Sequence, residues 1–476
     1  DQGLLFTNAY TPNAKCAPSR SCIVTGRNSW QLEEAANHWS YFPVKFKTYA
    51  ETLADNGYFV GYTGKGLAPV VALTADGKRR QTLMKSYNEI KISPPTTGIS
   101  GNDYSANFAE FINDSTRGNK PFCFWYGGFE PHRGYEYGSG INKGDKKLED
   151  IDKVLAFWPD KESVRTDMLD YAFEIEYFDS HLDKMLKMLE DKGMLDNTIV
   201  IVTADNGMPF PRVKGQEYEY SNHLPLAIMW KNGIRQPGRT IKDFVSFIDF
   251  APTFLELAGV DQKVSGMKPI EGKSLTDILY SKKGENISAD RDHVLIGKER
   301  HDVGRPHDWG YPIRGIRKGD FLLVLNFETD RWPSGNPETG YLNCDGSPTK
   351  SQIITDRRET GTNKYWDLCF GKRPAKELYN VVKDELCMNN LIGIAEFEET
   401  ANKLEEQLIS ELKEQKDPRM FGNGHMFDEY LYSNKSDRNF YERYMNGENT
   451  RAGWVSKTDF ESPEEMKVII SNIVKF

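Results

Sequence analysis

Hydrophobic positions change their period several times along the chain, and each change predicts an element. From about Val164 to Lys192, the residues Met168, Leu169, Ala172, Ile175, Phe178, Leu182, Met185, Leu186 and Leu189 recur at helical spacing. They predict one long amphipathic helix stopped by Gly193. "TIVIVTADNG" (198–207) follows at once, a β-branched run that predicts a strand buried on both faces. "YFVGYTGKG" (58–66) and "PFCFWYGGFEPHRG" (121–134) are short apolar runs that end in a Gly-rich turn and a Pro-His turn. Strands alternating with helices predict an α/β fold with a mostly parallel sheet. After about residue 310 the pattern shifts. "FLLVLNF" (321–327) predicts a strand, and residues 395–417 predict a charged helix with Leu404, Leu408 and Leu412 on one stripe. The expected organisation is a large α/β domain over 1–310, a smaller C-terminal α+β subdomain over 311–430, and an Asn-, Tyr- and charge-rich tail over 431–476 that packs on the surface.

Composition narrows the function classes. With 61 basic and 70 acidic residues among 476, the net charge is −9, which leaves no basic footprint for nucleic acid. No apolar run approaches the roughly 18 residues of a membrane helix, so neither nucleic acid nor membrane is an expected partner. The first residues, "DQGLLFTNAY", lack an initiating methionine and read as a processed or truncated product. Six scattered cysteines form no metal-type pairs, and one disulfide among Cys344, Cys369 and Cys387 is compatible with their spacing.

Candidate chemistry gathers where strands end, because ligands of open α/β sheets bind beyond the carboxyl ends. Lys65 follows the first strand, His132 and Arg133 the second, and Asp205, Asn206 and then Lys214 the third. Each alone has a structural explanation as a turn residue or a solvated side chain; their shared edge favours a site. Asp205 and Asn206 are hard oxygen donors that suit calcium or magnesium better than zinc. Lysines and a histidine around such a cation make a pocket for a tetrahedral oxyanion, which points to sulfate or phosphate esters. The segment "NAKCAPSRSCIVTGR" (13–27) sets Cys16 at the mouth of a predicted helix, with Pro18 in its first turn and Gly26 as its stop. Free N–H groups there favour a nucleophile or an anion, while a small buried thiol is the other reading.

"CAPSR" (16–20) followed by "TGR" (25–27) resembles the signature of the formylglycine-dependent type I sulfatases, an alkaline-phosphatase-like fold. "GYTGKG", "PHRG", "TADNGMPFP", "FIDFAPTFLELAGV" and "KRPAKELYNVVKDELCMNNL" extend the resemblance over about residues 5–420. It implies that Cys16 is oxidised to formylglycine by a formylglycine-generating or anaerobic sulfatase-maturating enzyme that reads Cys-x-Pro-x-Arg. It further implies that Cys16, Asp205 and Asn206 ligate calcium, with magnesium as the alternative. Arg20 would hold the hydrated aldehyde, Lys65 and Lys214 would bind sulfate, and His132 would give a proton to the leaving oxygen. "EPHRG" and "DNGMPFPRVKG" are most similar to the branch with heparan N-sulfatase and bacterial polysaccharide sulfatases, which implies a periplasmic or secreted protein.

Two features depart from that family pattern. Its first strand, ending in paired aspartates of the calcium site, is expected upstream of "QGLLFTNAY" and is absent from residues 1–476; omission from the chain is the reading adopted. The histidine that many relatives carry two residues after the strand-end lysine is Leu67 here, which makes His38 and His301 candidates for its role. Arg300 and His301 in "GKERHDVGRPHDWGYPIRGIR" (297–317), and Arg331 in "NFETDRWPSGNPETGY" (326–341), lie among aromatic residues. Guanidinium and aromatic faces suit a sulfated carbohydrate, so these residues, with His38, are expected to bind substrate. A phosphohydrolase on the same scaffold and a catalytically silent sugar-binding relative are the alternatives.

Overall fold

In the computed structural model, which describes residues 2–361 and 364–473, the strands predicted before residue 310 lie in two sheets. Seven strands matter for the site: β1 (Gly3–Phe6), β2 (Phe59–Gly64), β3 (Lys85–Ser86), β4 (Phe122–Gly127), β5 (Val200–Thr203), β6 (Leu226–Met229) and β7 (Arg239–Ile241). One sheet is parallel throughout, in the order β3-β2-β4. The other runs β7-β1-β6-β5, with β1 parallel to β7 and β6 antiparallel to both of its neighbours. The expected α/β class holds, with these strands in two sheets and β6 running antiparallel. Its reversal has a simple cause. The chain between β5 and β6 returns over the carboxyl end of β5 without a crossover helix, so it enters β6 where it left β5. Among the described residues β4 pairs only with β2, and β5 only with β6. Consequently β5, expected to be buried on both faces, is half-buried along its length.

Both sheets share one core. Cys123 and Trp125 of β4, and Ile199 and Ile201 at β5, pack against the cluster that contains Leu4, Phe6, Val60, Leu226, Ile228 and Ile241. Helix α1 (Cys16–Thr25) enters the same cluster through Cys22, Ile23 and Val24, and Gly26 ends it in the left-handed conformation at φ 67°. Helix α2 (Glu162–Asp191) matches the long periodic segment, and Val164, Leu169, Met185 and Leu189 line its buried face. Ile175, read as part of that stripe, faces outward at 41% exposure.

Beyond the core, β8 (His293–Lys298), β9 (Ile313–Lys318), β10 (Phe321–Asn326) and β11 (Lys376–Asn380) form an antiparallel sheet in that order. It begins at His293, before the expected boundary, because β8 pairs with β9 along its full length. Helix α3 (Pro348–Thr360) starts from a Ser347 cap, and α4 (Glu398–Glu414) lays Leu404, Leu408 and Leu412 against Leu295, Ile316 and Leu323 of this sheet. In the tail, Tyr432 and Phe440 pack onto Val303 and Leu342. All six cysteines are free thiols, so no disulfide joins Cys344, Cys369 and Cys387. Among the described residues no helix is long and apolar enough to cross a membrane.

Candidate active site

Cys16 is the first residue of α1, 2% exposed, and Arg20 lies one turn on. The Arg20 guanidinium folds back, donating from Nε to the Cys16 carbonyl at 2.9 Å and from Nη2 to the Ala68 carbonyl in the turn after β2. Its Nε is also 3.3 Å from Asp205 Oδ2, which ties the mouth of α1 to the carboxyl end of β5. On the other side of Cys16, His38 Nε2 is 3.1 Å from Sγ, and His38 Nδ1 is 2.9 Å from Asp302 Oδ1. Asp302 is fixed in turn by Lys15 Nζ at 2.8 Å and by the Tyr432 hydroxyl at 3.2 Å. Backbone bonds brace this alignment, since His38 N donates to the Arg300 carbonyl and Arg300 N to Asn37 Oδ1.

Charge follows from this geometry. Burial pushes the Cys16 thiol up, but Lys65, His38 and Arg20 together hold it well below its ordinary range. Burial opposes a charged His38, yet Cys16 and Asp302 keep it above its ordinary value. Lys65 faces Cys16, Arg20, Asp205 and Lys214, and burial brings it below the usual lysine range. Lys214 reaches the same pocket from the loop after β5. Its Nζ donates to Asp345 Oδ2 at 2.5 Å and stands 3.3 Å from His132 Nε2. Gly215 N donates to the Ala14 carbonyl, which fastens that loop to the start of α1. Cys16, Arg20, Lys65, His132, Asp205 and Lys214, spread over some two hundred positions, therefore converge.

Residues 1–260 match the family model described as Sulfatase. The chain belongs to the sulfatase family. Residues 214–325 also match the C-terminal model of N-sulphoglucosamine sulphohydrolase. The human N-sulphoglucosamine sulphohydrolase is 26% identical over 450 residues, covering 88% of this chain and 84% of that protein. An ulvan-active sulfatase of Formosa agariphila is 24% identical over 437 residues, covering 87% and 74%. Among solved structures, a protein in complex with its substrate D-glucosamine-2-N,6-O-disulfate shares the fold at TM-score 0.57 and 20% identity, over 87% of this chain and 91% of that one. A phosphonate monoester hydrolase of Agrobacterium radiobacter shares it at TM-score 0.57 and 15% identity, over 87% and 89%. The chain is thus a sulfuric ester hydrolase by family.

Within this sulfatase, His132 differs from its sequence reading. Its Nδ1 donates to the Arg133 carbonyl at 2.6 Å, which leaves Nε2 as the acceptor facing Lys214. Lys214, burial and Lys65 push its pKa down to about 3, against Asp345 and Cys16. Beside these two lysines it is a neutral imidazole. An anion between the two lysines offsets their charge, so inorganic sulfate is expected to raise the His132 pKa, read from imidazole NMR titrations in sulfate and in chloride. Equal titrations would separate His132 from the anion pocket.

The remaining expected substrate residues sit differently. Arg300 and His301 are buried, the former donating to the Tyr430 carbonyl and the latter 3.0 Å from Asn13, so both brace the wall behind His38. Arg331 donates to the Gly310 carbonyl and Asp428 and covers the face of Trp309. Beside His132 a cavity of about 200 Å³ opens, lined by Phe129, Glu130 and Glu174 among others. Asp205 and Asn206 offer the hard oxygens a calcium takes, but they are two donors where about six to eight are needed. Among the described residues no group of three acidic, histidine or cysteine side chains joins them. Three groups escaped sequence reasoning: Lys15, Asp302 and Asp345. Lys15 and Asp302 adjoin singled-out residues, which is the only signal they give; Asp345 has none.

Proposed function

We propose that this sulfatase hydrolyses sulfate esters of a sulfated carbohydrate, with position 16 as the nucleophile after conversion to formylglycine. The observation that carries this is the setting of Cys16, a helix-terminal side chain among Arg20, His38, Lys65 and the Lys214–His132 pair. The sugar class is supported by the names of two relatives, the human N-sulphoglucosamine sulphohydrolase and the Formosa ulvan-active sulfatase. Formylglycine would supply a hydrated aldehyde oxygen to attack sulfur, and a calcium held in part by Asp205 and Asn206 would supply positive charge beside it.

The chain's own residues then divide the work. Lys65 and Lys214 bind sulfate oxygens and stabilise charge as it spreads over them. Arg20 fixes the position-16 backbone and lies against Asp205. His38 Nε2 is the acceptor for a proton from the position-16 side chain, and Asp302 keeps its tautomer and orientation. His38, a candidate for the sulfate or leaving-group contact missing at Leu67, is thus assigned to the position-16 side chain instead. With bound sulfate offsetting the charge of Lys214 and Lys65, His132 Nε2 takes a proton from solvent and delivers it to the leaving oxygen. A periplasmic or secreted setting and a maturation enzyme are parts of the same reading.

The deciding experiment assays full-length protein, its position 16 verified as aldehyde by mass spectrometry, on a panel of defined sulfated sugars. Sulfate release from at least one sugar is expected; release from aryl sulfates alone would remove the carbohydrate assignment. His132→Ala is expected to lower kcat on sugar sulfates by about 10²-fold and much less on p-nitrophenyl sulfate, whose leaving group needs no proton. Equal losses would remove His132 as the acid.

A further inference from the structure

Two lysines face the pocket, and only one is tied to a carboxylate. Lys214 is bonded at 2.5 Å to Asp345, both side chains being buried, whereas Lys65 has no ion-pair partner among the described residues. The other pocket carboxylates already have work: Asp302 holds Lys15 and His38, and Asp205 meets Arg20. Asp345 does not hold the main chain. Its carboxylate has Lys214 as its one hydrogen-bond partner among the described residues, while Cys344 N and the Ser347 cap close the surrounding turn. It is held far below the carboxylate range by Lys214, Lys15 and His132 despite burial, so it stays charged. A permanent negative charge thus sits within an anion pocket, bonded to a group that reads the anion.

Sulfate and phosphate monoesters have the same tetrahedral shape and acceptor oxygens, so hydrogen bonding separates them poorly. Charge separates them well. The sulfate ester carries one negative charge, and the phosphate ester nearly two above its second pKa of about 6. Repulsion from a fixed carboxylate scales with the ligand's charge and is strong at short range in a partly buried site. The fold itself does not decide the matter, since phosphonate monoester hydrolases share it.

We propose that Asp345 is a specificity-determining residue: its carboxylate penalises a dianionic phosphoryl group and leaves the monoanionic sulfate ester favoured. This rests on the reading of the pocket as a sulfate-ester site.

The test uses phenyl sulfate and phenyl phosphate, which differ at this pocket by one charge. Their binding to the full chain with Cys16 unconverted is measured by calorimetry in calcium-containing buffer, so that turnover does not intervene. Asp345→Asn is expected to shift the ratio of the two dissociation constants toward phosphate by about tenfold or more at pH 8. Asp345→Glu is expected to keep the wild-type ratio. Should Asp345→Asn fail to fold, the wild type alone decides. From pH 5 to pH 8 its affinity for phenyl phosphate is expected to fall relative to phenyl sulfate, with Lys15, Lys214 and His132 facing Asp345 in both measurements. An unchanged ratio in a folded Asp345→Asn, or a wild type that tightens on phenyl phosphate as it becomes a dianion, overturns the proposal and leaves the sulfatase reading standing. A wild type that binds neither probe, and whose converted form releases no sulfate, overturns both.

Discussion

Cys16→Ala abolishes sulfate release, by about 10⁴-fold or more, and leaves the fold in place. The loss is large because no neighbour can substitute. Arg20 is tied to backbone carbonyls, Lys214 is bonded to Asp345, and His38 is held by Asp302 against position 16. The fold survives because α1 is anchored by Cys22, Ile23 and Val24 in the core and by its Gly26 terminus. Removing one sulfur at its first residue costs about 1 kcal/mol of burial. Circular dichroism and thermal unfolding check the fold, and sulfate release checks the chemistry. A folded Cys16→Ala protein with near-wild-type turnover would remove position 16 from the mechanism.

The second large effect falls on Asp302, which receives Lys15 and His38 on its two carboxylate oxygens. Asp302→Ala strands a buried ammonium and frees the imidazole that faces Cys16. Breaking such a pair from one side costs about 3–5 kcal/mol, and a disoriented His38 is expected to lower kcat by about 10²-fold or more. The double variant Lys15→Met with Asp302→Leu separates these effects. It replaces the pair by apolar volume and recovers most of the stability without recovering activity. Recovery of both would leave Asp302 a purely structural residue. The pair also sets a pH window. Asp302 is held well below its ordinary value despite burial, chiefly by Lys15 and then His38, so its contribution is lost as pH falls through that depressed value. Lys15 is held above its ordinary value, against burial, by Asp302, Asp345 and Cys16, so its share is lost as pH rises through that raised value. Between about pH 4 and pH 10 the pair is intact.

Much of the fold was legible because it is local. The stripe from Val164 to Leu189, the strand after it and the Pro18–Gly26 helix follow from periodicity and end signals that need no distant partner. The strand-end rule likewise collected Lys65, His132, Asp205 and Lys214 on one edge. What escaped depends on partners far along the chain. Nothing in the spacing pairs His38 with Asp302 or Lys214 with Asp345, because each partner lies more than a hundred positions away. The state of His132 escaped for the same reason: its low pKa comes from an ammonium 82 positions away. The direction of β6 escaped as well, since a short apolar run does not say which way its strand runs.

The distance between Cys16 and the residues that enclose it has a consequence during synthesis. At roughly 5–20 residues per second, the stretch from position 16 to position 302 takes a ribosome roughly a quarter of a minute to one minute to make. Until then His38 lacks Asp302, and the wall around position 16 cannot close. An enzyme that oxidises this side chain, as proposed, has that interval to reach an exposed thiol; the finished chain offers it one that is 2% accessible.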